Sequence, residues 1–285
     1  MYQSILMDLD GTVLTPVNTV TDELNDYLKF LRNHGVHVFA VTGRTYQEAW
    51  NVLPDDFPAE GMVTANGMAV YVGSEKVLQH ALPGELVETL INRARDERLY
   101  YEMHPISGGR AALLEDQSYF REQIHGKRPE TVAENEWLSR LNAVNQEIDW
   151  KNAVTKEECS EMNKLYFFST DVAKMDRWKK ELSRLAERTP FDCFSSTRNN
   201  TEVIVKGISK ASGIRYLMDY CHLSLGSALV VGDGENDLPM FQAAGHSAAM
   251  KNAPDHVKKQ ADEVTDYSYA ENGLYRFLKK SFNLG

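Results

Sequence analysis

The stretch ILMDLDGTVL, residues 5–14, places two carboxylates directly after a short apolar run. The run predicts a buried strand, and the spacing of Asp8 and Asp10 sends both side chains to the same side of an extended chain. Gly11 and Thr12 then end the run. Because a buried carboxylate is costly without compensation, the stretch predicts that positive charge meets these two acids at the end of the strand.

The segments around this stretch alternate between strand and helix patterns. VHVFAV (36–41) and ALVVGD (228–233) are short apolar runs typical of buried strands, and TDELNDYLKFLRNHG (21–35) carries leucines at helical spacing. The same rhythm continues later in the chain, where SKASGIRYLMDYC (209–221) predicts a helix. Repeated βα units predict an α/β fold, a doubly wound parallel sheet with functional residues at the carboxyl ends of its strands.

The middle of the chain has a different pattern. Strand-like segments such as YYEMH (100–104) are mixed with helices, one of which repeats apolar residues at the spacing of a core-facing stripe: Val172, Met175, Trp178, Leu182 and Leu185. A connection of this length is not structureless inside a compact unit, and strand-forming segments resume after it. We therefore predict two domains with these bounds: a core domain over 1–83 and 200–285, and an inserted α+β cap domain over 84–199.

Composition argues against several classes of protein. The chain has 285 residues, 42% of them hydrophobic, and a formal net charge of −10, which disfavours nucleic-acid and anionic membrane partners. No apolar run approaches the roughly 18 residues that span a bilayer. No basic region precedes an apolar stretch near residue 1, so a signal peptide is not expected and we predict a cytoplasmic protein. The sequence does not specify the oligomeric state. The widely spaced cysteines favour reduced thiols: Cys159, Cys193 and Cys221.

Polar residues follow several of the predicted strands. TGR (42–44) follows the second strand, Lys210 opens a helix, and GDGEND (232–237) follows a later strand. If these strand ends meet, they gather the following acids: Asp8, Asp10, Asp233 and Asp237. Two like charges about 4 Å apart repel by roughly 4 kcal/mol at an effective dielectric constant of about 20. A divalent cation and the Lys210 ammonium restore near-neutrality, and carboxylates without His or Cys favour Mg²⁺.

A site of this kind suits a phosphate ester. Thr42 can donate its hydroxyl to a phosphate oxygen, Gly43 lets the backbone approach closely, and Lys210 adds its charge at a helix N-terminus. One carboxylate can attack phosphorus and form an aspartyl-phosphate. A neighbouring carboxylate can protonate the leaving alcohol and later deprotonate the attacking water. The pattern therefore predicts phosphoryl transfer.

Four segments carry further information: DLDGTVL (8–14), VTGR (41–44), the lysine of VKGISKASGI (205–214) and GDGENDLPMF (232–241). Together they resemble the four motifs of the haloacid dehalogenase (HAD) superfamily, and specifically its Cof-type phosphatases with a class IIB cap inserted between the second and third motifs. NAPDHVKKQADEVT (252–265) is similar to the tail of that subfamily. The resemblance covers about residues 1–80 and 200–285, whereas the middle is similar in position and size.

The resemblance implies roles for these residues. Asp8 is then the nucleophile and Asp10 the general acid/base. Mg²⁺ is bound by Asp8, by the backbone carbonyl of Asp10 and by Asp233, while Asp237 acts through a water or from further away. Thr42 and Lys210 then hold the phosphoryl group, and Asn66 faces the substrate entrance. The full set of phosphate- and substrate-binding residues is Thr42, Gly43, Arg44, Lys210, Asn236 and Asn66.

The predicted function is a Mg²⁺-dependent phosphatase acting on phosphomonoesters of small metabolites, such as sugar phosphates or flavin or nucleotide monophosphates. The alternative is a non-catalytic or regulatory phosphometabolite-binding protein with the same fold. A nucleotide-binding oxidoreductase is disfavoured, because Asp237 stands where the third glycine of GxGxxG is required. We expect the cap to close over the site and to admit small molecules only. Four residues of the cap are candidate substrate contacts and lie outside the catalytic set: His104, Arg110, His125 and Trp137.

Overall fold

The computed structural model describes residues 2–282 and divides the chain into two compact units. The first unit comprises the residues up to Leu78 and those from Ile208 onward, and the inserted unit spans Gln79–Gly207. The sequence-based bounds had placed the strand Asn200–Val205 in the first domain, and that placement is wrong. This strand pairs antiparallel with Met162–Phe168 inside the inserted unit. An apolar run predicts a strand, but it does not say which sheet the strand joins.

The first unit begins with alternating strands and helices. In chain order these are β1 (Ser4–Met7), α1 (Asp22–Asn33), β2 (His37–Val41), α2 (Tyr46–Trp50), β3 (Gly61–Thr64), β4 (Ala69–Val72) and β5 (Glu75–Gln79). The side chain of Thr21 accepts a hydrogen bond from the Leu24 N–H and caps the start of α1. Gly35 lies just beyond the helix with φ +83°, a left-handed conformation that favours glycine and stops α1 there.

The inserted unit is a sheet with helices packed against it. Its elements are α3 (Gly84–Asp96), β6 (Tyr100–Pro105), β7 (Arg110–Leu113), α4 (Gln117–Gln123), α5 (Glu134–Asn142), β8 (Ile148–Lys151), α6 (Lys156–Cys159), β9 (Met162–Phe168), α7 (Val172–Ala186), β10 (Phe191–Phe194) and β11 (Asn200–Val205). The strand order is β10-β11-β9-β6-β7-β8. Met175, Trp178 and Leu182 of α7 are buried in the core of this unit, as their helical spacing predicts.

The chain then returns to the first unit. The remaining elements are α8 (Lys210–Tyr220), β12 (Ala228–Gly232), α9 (Leu238–Ala243), β13 (His246–Ala249), α10 (Asp255–Lys258), β14 (Glu263–Val264) and α11 (Gly273–Phe282). The sheet order is β14-β13-β12-β1-β2-β3-β4-β5, and the pairs from β14 to β3 are parallel. The predicted α/β fold is confirmed, with an antiparallel β4 beside β3. The carboxyl ends of β12, β1, β2 and β3 therefore lie along one edge of the sheet.

The helices of the described residues are not suited to crossing a membrane. None of the helices within residues 2–282 combines the length and the apolar character that crossing a bilayer requires. The three cysteines are free thiols and form no disulfide in this part of the chain.

Candidate active site

The end of β1 brings Asp8 and a tight turn to the edge of the sheet. The Asp8 N–H donates to the carbonyl of Val231 on the neighbouring strand, which fixes the start of the turn. Gly11 has φ +78°, and a Cβ built on it lies 2.2 Å from Oδ2 of Asp233. A side chain at this position therefore cannot be accommodated. The glycine of the DGT segment lets the turn pass directly over Asp233.

Lys210 joins two of the acids inside the protein. Its Nζ lies 2.5 Å from Oδ1 of Asp8 and 2.6 Å from Oδ1 of Asp237, and its side chain is 1% exposed. Lys210 is the first residue of α8, and the side chain of Ser209 caps that helix. Burial alone would lower the pKa of the Lys210 ammonium, but the charges of Asp237 and Asp8 raise it above its ordinary value.

Three carboxylates crowd together around this ammonium. One oxygen each of Asp8, Asp233 and Asp237 lies within 4.8 Å of the others. Burial raises the pKa of Asp8 well above its usual range, against the opposing effect of Lys210, and it raises the pKa of Asp233 to about 8, with Asp237 adding to the effect. When all three carboxylates are ionised, they carry more negative charge than one ammonium neutralises. A carboxylate-only donor set fits a hard divalent cation.

Asp237 organises the turn after β12. Its Oδ2 accepts hydrogen bonds of 2.9 Å from the backbone N–H groups of Asp233 and Gly234, while Oδ1 accepts from Lys210. Both of its oxygens are therefore bonded within the protein. Asp237 fixes Asp233 and Lys210 relative to each other.

The Asp10 carboxylate is hydrogen-bonded to Arg44. The guanidinium binds it through two hydrogen bonds, Nε to Oδ2 at 2.8 Å and Nη2 to Oδ1 at 2.6 Å, and Nη2 also donates to Oδ1 of Asn18 at 3.1 Å. Burial alone would raise the pKa of Asp10, but the charge and hydrogen bonds of Arg44 lower it. The local sequence does not indicate this pair, and the sequence analysis places Arg44 among the substrate-binding residues.

The turns after β2 and β3 are bonded to each other. Thr42 is fully buried, and its Oγ1 accepts a hydrogen bond of 3.1 Å from the Arg44 N–H, across the intervening Gly43. The Asn66 N–H donates to the Thr42 carbonyl, and Oδ1 of Asn66 accepts from Nδ2 of Asn236 at 3.0 Å. The structure thus brings Asn66 and Asn236 together next to the Thr42 turn.

A strained backbone supports this arrangement. Ala65, Asn66 and Gly67 follow one another with φ of +47°, +56° and +103°. A Cβ on Gly67 would lie 2.2 Å from the carbonyl oxygen of Ser209, the residue that caps the helix carrying Lys210. A left-handed backbone conformation costs free energy, so it is kept only where the surrounding structure enforces it. Such conformations cluster at functional sites.

Gly67→Ala is therefore expected to destabilise the protein by at least about 2 kcal/mol, because it adds a steric clash with Ser209 to the roughly 1–2 kcal/mol cost of a left-handed alanine. Gly73→Ala is the matched control, since Gly73 has φ +56° and a Cβ there meets nothing within 4 Å. Urea unfolding followed by circular dichroism measures both. Equal losses in the two variants would show that the approach to Ser209 does not matter.

The candidate cap contacts lie in different surroundings. His104 and Arg110 are buried beside Glu102, with His104 Nε2 at 3.1 Å from Oε2 of that carboxylate. Trp137 is part of the apolar core of the inserted unit, and His125 is exposed. Within the inserted unit, three of these four side chains therefore contribute to its interior.

Sequence reasoning missed Asn252. Its Nδ2 donates to Oδ2 of Asp233 at 3.0 Å, so it belongs to the site although it lies 19 residues further along the chain. The signal available was its place at the start of NAPDHVKKQADEVT (252–265), the segment whose sequence resembles the tail of the subfamily.

The chain is similar to known hydrolases and phosphatases. A family model described as haloacid dehalogenase-like hydrolase matches residues 5–278. The 5-amino-6-(5-phospho-D-ribitylamino)uracil phosphatase YcsE of Bacillus subtilis is 23% identical, with 96% of this chain and 94% of that protein covered. A haloacid dehalogenase-like hydrolase structure from B. subtilis has a TM-score of 0.79 at 22% identity, covering 97% of this chain and 99% of that one. A HAD subclass IIB sugar phosphatase has a TM-score of 0.73 at 20% identity, covering 99% of each chain.

Proposed function

The chain belongs to the haloacid dehalogenase-like hydrolase family, and on that premise we propose that it is a Mg²⁺-dependent phosphatase of small phosphorylated metabolites, with Asp8 as its nucleophile. The observation that carries this proposal is the buried Lys210 ammonium, 2.5 Å from Asp8 within the acidic cluster. A cation and a carboxylate held together out of water suit an attack on an anionic phosphate ester.

The hydrogen bonds favour Asp8 over Asp10 as the nucleophile. Both oxygens of Asp10 accept hydrogen bonds from Arg44. Of the two oxygens of Asp8, Oδ1 accepts a hydrogen bond from Lys210, and within the described part of the chain Oδ2 accepts none. Oδ2 is therefore the oxygen that attacks. A bond forms between this oxygen and phosphorus while the bond from phosphorus to the leaving alcohol breaks.

Asp10 is suited to the proton transfers. In the first step it gives a proton to the departing alkoxide, and in the second it takes one from the water that attacks the aspartyl-phosphate and releases inorganic phosphate. The Arg44 pair favours the ionised form, which is the form that accepts a proton from water. For the first step Asp10 must first take up a proton from water, which requires Arg44 to release one of the two oxygens; the proton taken from the attacking water in the second step then restores the protonated form.

Asp8 and Asp233 are the residues that would hold Mg²⁺. Asp237 would support them through its hydrogen bonds with Lys210 and with the N–H of Asp233. When bound, the ion neutralises charge on the phosphoryl oxygens. Thr42 and Lys210 are the chain's own groups for those oxygens, at the end of β2 and at the start of α8. The crowding of buried acids supports a cation here, since burial, with a further contribution from the neighbouring acids, raises the pKa of both Asp8 and Asp233.

Small phosphorylated metabolites are the substrates that the relatives support. YcsE is named as a phosphatase of a phosphoribitylaminouracil, and the subclass IIB neighbour is named as a sugar phosphatase. The substrates in both names are small phosphate esters of polyhydroxy compounds. We assign substrate specificity to the inserted unit.

The purified protein is expected to release p-nitrophenol from p-nitrophenyl phosphate in the presence of Mg²⁺, and to lose this activity on chelation with EDTA. The loss follows because the buried acids then repel one another and the phosphate dianion. Excess Mg²⁺ is expected to restore the rate, whereas the same concentration of NaCl is the ionic-strength control. Full activity after exhaustive chelation would contradict the metal dependence.

A further inference from the structure

Asn252 connects three segments that are far apart in the sequence. Its Nδ2 donates to the carbonyl of Gly11 at 2.9 Å and to Oδ2 of Asp233 at 3.0 Å. Its Oδ1 accepts a hydrogen bond of 3.1 Å from the N–H of Tyr269. The side chain therefore ties the turn after β1 to the end of β12 and to the segment before α11.

These partners fix the amide in one orientation. A primary amide has two N–H donors and one carbonyl acceptor, and here all of them are used. The N–H of Tyr269 can only donate, so the oxygen of Asn252 must face it and the NH₂ group must face Asp233. Aspartate at this position would turn a carboxylate oxygen toward Asp233, and alanine would leave both acceptors without this donor.

The charges around the acids show what is special about this contact. Lys210 forms ion pairs with Asp8 and Asp237, and Arg44 forms one with Asp10. Within residues 2–282, no Lys, Arg or His side chain lies within ion-pairing distance of Asp233.

The side-chain donors to Asp233 in the same part of the chain are neutral. They are the amide of Asn252 and, at 3.5 Å, the hydroxyl of Thr12. A neutral donor fixes the direction of a carboxylate without cancelling its charge. Asp233 is thus both held in place and left available to a cation.

We infer that Asn252 is a positioning residue for the cation site: it sets the direction of the Asp233 carboxylate and holds the Gly11 turn against it. The inference rests on the proposed function only in that Asp233 binds a divalent cation. Outer partners of metal ligands orient them, and their loss typically costs roughly 10- to 100-fold in metal affinity. Asn252 is such a partner, because it hydrogen-bonds directly to the proposed metal ligand Asp233.

The test measures Mn²⁺ binding to the substrate-free protein from the electron paramagnetic resonance signal of free Mn²⁺. Asn252→Ala is expected to raise the Mn²⁺ dissociation constant by roughly 10- to 100-fold. Asn252→Ser keeps a single shorter donor and is expected to fall between Asn252→Ala and the wild type, and it also serves if Asn252→Ala does not fold. Asn51→Ala, at an exposed position after α2, is the matched control.

Each outcome separates the inference from the proposed function. A weaker dissociation constant for Asn252→Ala and Asn252→Ser, with an unchanged value for Asn51→Ala, supports the positioning role. A lower melting temperature in EDTA with unchanged Mn²⁺ affinity shows that Asn252 only stabilises the fold, and it overturns the inference. Failure of the wild type to bind Mn²⁺ overturns the metal-dependent function together with the inference. Normal Mn²⁺ binding without phosphatase activity affects the function alone.

Discussion

Asp8→Asn is expected to lower the turnover number for p-nitrophenyl phosphate by about 10⁴-fold or more, the scale seen when a covalent nucleophile is removed. The amide has nearly the same size and can still accept the hydrogen bond from Lys210, so the site keeps its shape. It cannot form the acyl phosphate. Steady-state kinetics at saturating Mg²⁺ measure the loss.

The fold of this variant is expected to be intact. Burial and the neighbouring acids raise the pKa of Asp8, so its ionised form is disfavoured in the absence of a metal, and a neutral amide removes that charge. The melting temperature in EDTA is therefore expected not to fall. Asp219→Asn, an exposed change on α8, controls for loss of a negative charge elsewhere. Wild-type turnover by Asp8→Asn at saturating Mg²⁺ would rule out the covalent route.

The gathering of Asp8, Lys210 and Asp233 was predictable because the sequence places each at the end of a strand or the start of a helix. Parallel strands align their carboxyl ends, so adjacency in the sheet converts distant sequence positions into neighbours. The structure brings these three side chains together as expected from that rule. Asp8 and Asp233 become neighbours because β1 lies beside β12 in the sheet.

Other features depend on contacts that local sequence does not encode. β13, with the sequence HSAA, carries little apolar signal and was not predicted, although it lies beside β12. The strand Asn200–Val205 pairs antiparallel with β9, a pairing that the local sequence does not specify. The Arg44–Asp10 pair and the bond from Asn252 to Asp233 join side chains across long stretches of chain. Long side chains with several rotamers reach partners that only the assembled fold determines.

Glu102→Ala is expected to destabilise the inserted unit by about 3–5 kcal/mol, the cost of breaking a buried ion pair by removing one partner. Glu102 is 0% exposed, and its Oε1 accepts from Nη1 of Arg140 at 2.7 Å and from the hydroxyl of Tyr100. Its Oε2 lies 3.5 Å from Nη1 of Arg110. Burial alone would raise the pKa of Glu102, but the two guanidinium groups hold it well below its usual range. Without the carboxylate, the buried Arg140 guanidinium loses the counter-ion 2.7 Å from its Nη1, while Arg110 still has Oε2 of Glu147 3.3 Å from its Nε.

Tryptophan fluorescence during urea unfolding reports this change. Three of the four tryptophans lie in the inserted unit: Trp137, Trp150 and Trp178. Glu122→Ala is the control, because its ion pair with Arg98 is exposed and such pairs contribute about 0–1 kcal/mol. A loss no larger than that of the control would show that Glu102 is dispensable.

Glu102→Gln separates charge from packing. Glutamine fills the same space and keeps a carbonyl acceptor for Arg140, but it cannot neutralise two guanidinium groups. If the negative charge is what stabilises α5 on the sheet, the glutamine variant is expected to lose nearly as much stability as Glu102→Ala. If the cavity dominates, the glutamine variant is expected to stay near the wild type. The buried position of both arginines favours the first result, since neither cation is exposed enough to regain water in place of the lost carboxylate.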